Sequence, residues 1–176
     1  MKKQLIMMVL TLWAISANAQ IKEAKHIVLV GFDGLGSYAI PQADMPNLKQ
    51  LMREGASSLH VRTVLPSSSA VNWASMLMGP GPTLHGYTEW GSKTPEIPSA
   101  TTTSYSMFPS IFSVIRNARP TAKTAVVYSW PGIGYLVEQQ AIDYVVPGND
   151  DEDKPLDSLV HIIKPYKPLL TFAHFD

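Results

Sequence analysis

Three consecutive serines, Ser67-Ser68-Ser69, sit between an extended apolar segment and a short helix-forming run, inside the stretch LPSSSAVNWASMLMGPGPTLHG that covers Leu65 to Gly86. A serine at a strand-to-helix junction holds its hydroxyl at the edge of a sheet, next to helix amides that have no intrahelical partner. Those amides and the helix dipole favour an anion, so the position suits a nucleophile attacking a phosphate or similar oxyanion. Upstream, His26-Ile-Val-Leu-Val-Gly-Phe-Asp33-Gly34 is an apolar run with a carboxylate at its C-terminal tip. At the far end, Leu169-Leu-Thr-Phe-Ala-His-Phe175 stops on a second carboxylate, Asp176. Open α/β sheets bind ligands at the C-terminal ends of their strands, where residues far apart in sequence converge. Two carboxylates and a hydroxyl suit divalent ions such as zinc or manganese. A pair of such ions lowers the pKa of the hydroxyl and holds phosphoryl oxygens, so the combination suggests metal-assisted hydrolysis. No G-x-S-x-G elbow occurs, which argues against an α/β-hydrolase nucleophile.

The elements that must position these groups alternate between strand-like and helix-like, the pattern of a mostly parallel central sheet flanked by helices, an α/β fold. His26 to Phe32 is a nearly continuous apolar run suited to a strand buried on both faces. Asp44 is placed to cap a helix from Met45 to Glu54, with Pro46 in its first turn and Gly55 past its end. Met45, Leu48, Leu51 and Met52 share one face of that helix. Ala56 to Leu65 reads as a second strand, and Ala70 to Met78 as the helix after the serines. Tyr87 to Phe108 has no clear period and reads as a long loop. Pro109 to Asn117 is a predicted helix, Lys123 to Tyr128 a strand, Ile142 to Val146 a shorter strand, Leu156 to Tyr166 a helix and Leu169 to Phe175 a last buried strand. The acidic run Asn149 to Asp153 reads as a solvated turn, because no spaced calcium-ligand pattern accompanies it.

Composition narrows the partners. Fourteen basic and fourteen acidic side chains cancel, and no basic cluster exists, which excludes nucleic acid held by charge. Cysteine is absent, so a metal site here must use histidine and carboxylates. The N-terminus MKKQLIMMVLTLWAISANAQ has the basic, apolar and small-residue regions of a secretory signal peptide, residues 1–19, with cleavage after Ala19. Nothing later is long and apolar enough to span a membrane, so the expectation is an exported protein, periplasmic or extracellular, with residues 20–176 forming one domain. A chain that ends on a strand tip, with no covering helix to follow, reads as the N-terminal part of a longer, C-terminally truncated protein, and this piece alone is expected to be inactive.

Residue type does not choose among the three serines. Here a resemblance does. The segments Phe32-Asp33-Gly34, Met45-Pro46-Asn47-Leu48-Lys-Gln-Leu51-Met-Arg-Glu54-Gly55, Pro66-Ser67-Ser68-Ser69-Ala70-Val71-Asn72 and His85-Gly86 resemble, in order, those of the alkaline phosphatase superfamily, in its nucleotide pyrophosphatase/phosphodiesterase branch. The resemblance implies an alkaline-phosphatase-like fold, a phosphate-ester substrate and two divalent metal ions, zinc first and manganese second. It places Ser69 at the nucleophile and Asp33 at a ligand of one metal, which Ser69 also touches. Asp176 falls on the aspartate that opens a D-x-x-x-H motif serving the other metal. Two features depart from the pattern. The nucleophile is Ser where many members have Thr, and no Asn occurs between Gly86 and Arg116, where diesterases often hold a nonbridging oxygen. Phosphonate or sulfate ester hydrolysis is a lesser alternative, and Ser68-Ser69-Ala70-Val71 lacks the arginine of a sulfatase motif. An inactive truncated piece or a non-catalytic binding protein is the alternative outside enzymes.

The remaining polar and aromatic residues divide less sharply. Asn72 either binds substrate or makes a structural hydrogen bond. His85, in a Gly/Pro turn, is expected to hold that turn. His26, His60, His161 and His174 lack ligand spacing and are expected to be structural, and Trp73 and Met76 to Met78 to be core. Trp90, Trp130 and Tyr135, in loops, are placed to stack on a flat group of a substrate.

Overall fold

The computed structural model describes residues 24–151 and 153–176; the predicted signal peptide lies outside the described residues. Four strands form one all-parallel sheet: β1 (Ile27–Phe32), β2 (Thr124–Tyr128), β3 (Tyr144–Pro147) and β4 (Leu170–Phe175), in the order β1-β4-β2-β3. The helices are α1 (Pro46–Glu54), α2 (Ser69–Met78), the single turn α3 (Pro82–His85), α4 (Ile111–Ala118) and α5 (Asp153–Tyr166), with 3-10 turns at Pro131–Tyr135 and Gln139–Ala141. No helix among the described residues is long and apolar enough to cross a membrane.

Side-chain alternation along β2 and β4 builds two cores from one sheet. Val126, Tyr128, Leu170 and Phe172 face α2, where they pack with Trp73, Ala74 and Leu77. Ala125, Val127, Ala173 and Phe175 face the other way, against Ile162 and Leu159 of α5. Buried large apolar side chains are worth about 1.5–3 kcal/mol each, so these two contacts dominate the stability of the unit. Because β4 is central and parallel to both neighbours, its C-terminal tip lies between the tips of β1 and β2. Phe32 pairs with Phe175, which brings Asp33 beside Asp176, and Tyr128 pairs with His174.

Three local expectations are corrected. Ala56 to Leu65 forms no strand; the segment is largely exposed and irregular. Its β-prone residues have no ladder to join, and strand formation depends on a partner more than on propensity. Strand β1 is an edge strand rather than one buried on both faces, and Ile27, Val28, Leu29, Val30 and Phe32 are 40–53% exposed. Helix α1 starts at Pro46 with Met45, not Asp44, as its N-cap, and makes no side-chain cap bond. Proline's fixed φ and missing N–H suit that first helical position, which sets the boundary one residue later than expected. The acidic run is a solvated turn as expected: Asn149 and Asp150 have positive φ, and the Asp151 carboxylate accepts from the Asp153 amide at the start of α5.

Candidate functional site

Ser69 is the first residue of α2, preceded by Ser68 in extended conformation at the N-cap. Its hydroxyl donates to Asp33 Oδ2 at 3.3 Å. Asp33 extends β1 by one residue, and its amide donates to Phe175 O at 2.7 Å, which ties it to β4. The second carboxylate oxygen, Oδ1, accepts from the Gly34 amide at 2.9 Å. Asp33 Oδ2 also accepts from the indole Nε1–H of Trp73 at 3.2 Å. This carboxylate is therefore aimed by three donors from two elements while 36% of its side chain stays exposed. The carboxylate is thus ordered and still open to solvent.

Trp73 combines two roles. It belongs to the core as expected, yet its polar edge orients Asp33. It lies so close to β1 that a Cβ on Gly31 would come within 2.3 Å of its ring. Glycine at 31 is what lets the indole reach the carboxylate two residues further on.

The structure adds His174 to the site, a residue the sequence grouped with structural histidines. Its Nε2 lies 4.0 Å from Asp33 Oδ2 and 3.7 Å from Asp176 Oδ1. The ring is fully buried, set edge-on to Trp73 at 4.7 Å between centroids, with Trp130 at 6.3 Å. Nδ1 lies 3.4 Å from Ser129 Oγ at the tip of β2. One atom each from Asp33, His174 and Asp176 falls within a 4.8 Å cluster, a donor set that fits a divalent metal. The available signal was the strand period: residues two apart on β4 point to the same face, so His174 accompanies Asp176.

Asn72 is engaged locally. Its Oδ1 accepts from the Val64 amide at 3.0 Å and from the Thr63 hydroxyl, and its Nδ2 donates to Ser68 O at 3.0 Å. The amide thus pins residues 63–68 against α2, immediately before Ser69, and it also lines the neighbouring cavity. Of its two expected roles, the structural bond is formed.

His85 holds its turn as expected. The ring is buried, Nδ1 accepts from the Tyr87 amide at 3.1 Å, and Nε2 therefore donates to Ser75 Oγ at 2.9 Å, joining α3 to α2. Burial pushes its pKa below the ordinary value, consistent with a neutral ring. Tyr87 is pushed up to about 12 by burial and by Glu96 and Glu138, so it remains a hydroxyl donor, to Tyr135 O at 3.2 Å.

Two cavities flank the acids. One, of ≈ 730 Å³, runs between β1, residues 61–64 and α2 and is lined by Ser67, Ser68, Ser69 and Asp33. The other, of ≈ 600 Å³, contains Asp33 and Asp176 with Leu35, Met45 and Leu48. Trp90 is 65% exposed, its carbonyl accepts from the Ala70 amide next to Ser69, and its ring lies 5.9 Å from that of Trp130. Tyr135 is 43% exposed, with Lys93 Nζ 5.3 Å from its ring centre.

A hydroxyl at a helix start, two open carboxylates and an imidazole can together hold a metal and present a nucleophile to an ester. Comparison with known proteins agrees in class. Neither the curated proteins nor the solved structures searched contained a match to the chain. The sequence profile of the family described as "Type I phosphodiesterase / nucleotide pyrophosphatase" matches residues 27–167, which include Asp33, Ser69 and Asn72 but not His174 or Asp176. That family is metal-dependent and hydrolyses phosphate esters. With four-fifths of its length matched and its parallel α/β sheet in agreement, this chain belongs to the type I phosphodiesterase / nucleotide pyrophosphatase family.

Proposed function

We propose that this chain carries the nucleophile and part of the metal cage of an exported phosphate-ester hydrolase, acting on a phosphodiester or a phosphomonoester through Ser69. The observation that carries the reading is the 3.3 Å hydrogen bond from Ser69 Oγ to Asp33 Oδ2, with Asp176 alongside. In the proposed reaction Ser69 Oγ forms a bond to phosphorus as the bond from phosphorus to the departing alkoxide oxygen breaks, leaving a phosphoserine. Asp33 Oδ2 accepts from the hydroxyl in the resting state, and the hydroxyl proton is released to solvent as Oγ bonds to phosphorus. Water then cleaves the phosphoserine and releases phosphate or a phosphomonoester, and the departing oxygen takes its proton from solvent. When bound, divalent metal ions supply positive charge that favours the ionised serine and offsets the phosphoryl oxygens. The resemblance assigns Asp33 and Ser69 to one ion and Asp176 to the other, with zinc preferred and manganese the substitute.

Trp73 and the Gly34 amide keep Asp33 in one orientation, which limits the reorganisation needed during reaction. Asn72 contributes by holding the chain before Ser69, and through the cavity it lines it is the proposed neighbour of bound substrate. The exposed face of Trp90 offers a stacking surface to a planar group of the ester. Ser69→Ala in the full-length protein, supplied with zinc, is expected to abolish turnover of a nitrophenyl phosphate diester and monoester while zinc content is unchanged. Equal turnover by the variant overturns the assignment. A full-length protein that holds zinc but turns over neither ester is instead a metal-binding protein. Export is tested separately: protein recovered from secreting cells should begin at Gln20.

A further inference from the structure

We infer that Glu96 is a positioning residue that locks residues 86–97 into a specificity loop, holding Trp90 as a rigid, one-sided platform for the flat ring of an aryl-bearing phosphate ester. The inference rests on the hydrolase reading above and deepens it. The loop is built on one carboxylate oxygen. Glu96 Oε2 accepts from the Thr88 amide at 2.7 Å, the Ser92 hydroxyl at 2.9 Å and the Thr88 hydroxyl at 3.2 Å. Ser92 Oγ in turn accepts from the Glu89 amide at 3.1 Å, which closes the turn that carries Trp90. Ile97 joins the far end of the loop to its start by donating its amide to Gly86 O at 3.1 Å. Gly86 has a φ of 87°, and a Cβ there would meet Ile97 O at 2.0 Å, so the closure needs glycine. Burial alone would raise the Glu96 pKa, yet these hydrogen bonds outweigh it and hold the carboxyl below its ordinary value.

What the loop holds is an exposed tryptophan. Trp90 is 65% exposed, whereas Trp73 is buried and Trp130 partly buried. Leaving so large an apolar ring in water forgoes a burial gain that a looser loop could recover by folding over it. The backbone of Trp90 is fixed to the start of α2, because the Ala70 amide, next to Ser69, donates to Trp90 O at 3.1 Å. The rings of Trp73, His174, Trp130 and Trp90 follow one another at centroid spacings of 4.7, 6.3 and 5.9 Å. Trp90 thus ends an aromatic series that begins at the indole bonded to Asp33. Trp130 lies against Trp90 at direct ring-contact distance and a tilt of 43°, with no slot between them for a third ring. A ligand ring therefore lies on the outer face of Trp90. A platform fixed before binding loses little freedom when occupied, so ring contact is converted into affinity. An ester with a small alkyl group leaves the platform bare.

The test uses phenylphosphonate and methylphosphonate, which have no ester oxygen to expel, as ligands of the full-length, zinc-supplied protein carrying ¹⁵N-tryptophan. Phenylphosphonate is expected to bind at least about tenfold more tightly and to shift the Trp90 Nε1–H resonance, which methylphosphonate leaves in place. Trp90→Ala keeps the backbone carbonyl on Ala70 and should bring the two affinities to within about twofold of each other. Glu96→Ala, which leaves Trp90 intact, should cut the preference by about threefold or more, and Glu96→Gln, which keeps an acceptor oxygen, should restore most of it. Equal affinity for the two phosphonates, or a preference unchanged by Trp90→Ala, overturns the platform. An unchanged preference in Glu96→Ala overturns the positioning role. The readouts on the unsubstituted protein stand even where a variant fails to fold. The two readings fail separately: if neither phosphonate binds, the phosphate-ester site itself is overturned, whereas equal binding of both removes the platform and leaves the serine hydrolase intact.

Discussion

Asp33 and Glu138 are both carboxylates gripped by hydroxyl and N–H donors, yet the two surroundings are opposites. Glu138 is fully buried and accepts from Ser110 Oγ at 2.5 Å, the Ser110 amide at 3.0 Å and Thr103 Oγ1 at 2.7 Å. Those donors fasten the long loop after Tyr87 and the start of α4 to the turns before β3. Asp33 accepts a similar number of hydrogen bonds, but one donor is the serine at the start of α2, and beside it stand a second acid, a buried imidazole and two cavities. A carboxylate whose acceptor capacity is consumed inside the protein serves structure. One that keeps oxygens open to solvent beside another acid and an imidazole offers a donor set to a cation.

Substitutions at the two positions should therefore separate function from stability. Asp33→Asn is expected to lower both ester turnover and zinc affinity by at least about 100-fold, with a thermal midpoint close to that of the parent. A large loss of midpoint without loss of zinc would reverse the contrast. Glu138→Gln should do the opposite. It turns an acceptor into an amide facing two donors of Ser110, at a cost of about 2–4 kcal/mol. Calorimetry should show a midpoint lower by roughly 5–15 °C, with zinc affinity retained in the folded fraction. Gly31→Ala sharpens the comparison from the site's own side. The new methyl displaces the Trp73 ring, and overpacking of this kind costs about 1–3 kcal/mol. Its distinguishing result is a weaker hold on zinc, because the indole that aims Asp33 has moved.

The smallest expected effects are pH-dependent. Burial alone would raise the pKa of Asp143, but Lys123, the Thr124 amide and Arg116 outweigh it and hold the carboxyl below its ordinary value. Stability from this group is complete above the unfolded value, near 3.8, and is lost as pH falls through the lower folded one. His85 has its pKa lowered by burial, so its contribution is likewise complete above the unfolded value of 6.5 and declines as pH falls below it. Urea midpoints of the parent should drop in both windows. His85→Gln should flatten the upper one and Asp143→Asn the lower, and unaltered profiles would count against both assignments.

Much of the fold was legible because strong local patterns agreed with it. Strands β1, β2 and β4 fall inside their predicted ranges, and α2 differs from its own by one residue at the start. Residues 56–65 carried the same kind of signal and failed. Their alternation describes what a strand would bury, while a ladder requires a neighbour that sequence does not name. For the same reason the strongly apolar β1 turned out to be an edge. The candidate site divides similarly. Asp33 and Asp176 were visible as charges ending apolar runs, and Ser69 through its resemblance in motif. His174 and the Nε1 edge of Trp73 were not, because an apolar strand and an apolar helix hide a polar atom until their packing is known.

Sequence by itself determined the residue types that bear chemistry, their places at the ends of regular elements, the class of sheet and the family. Tertiary structure alone decided that β4 lies between β1 and β2, and so which tips meet. That order is set by burial on the two faces of the sheet and by parallel register, both of which depend on contacts between residues far apart in sequence, such as Ile27 with Leu170 and Thr124 with Leu170. It is this pairing of β1 with β4 that draws Asp33, His174 and Asp176 into one cluster beside Ser69.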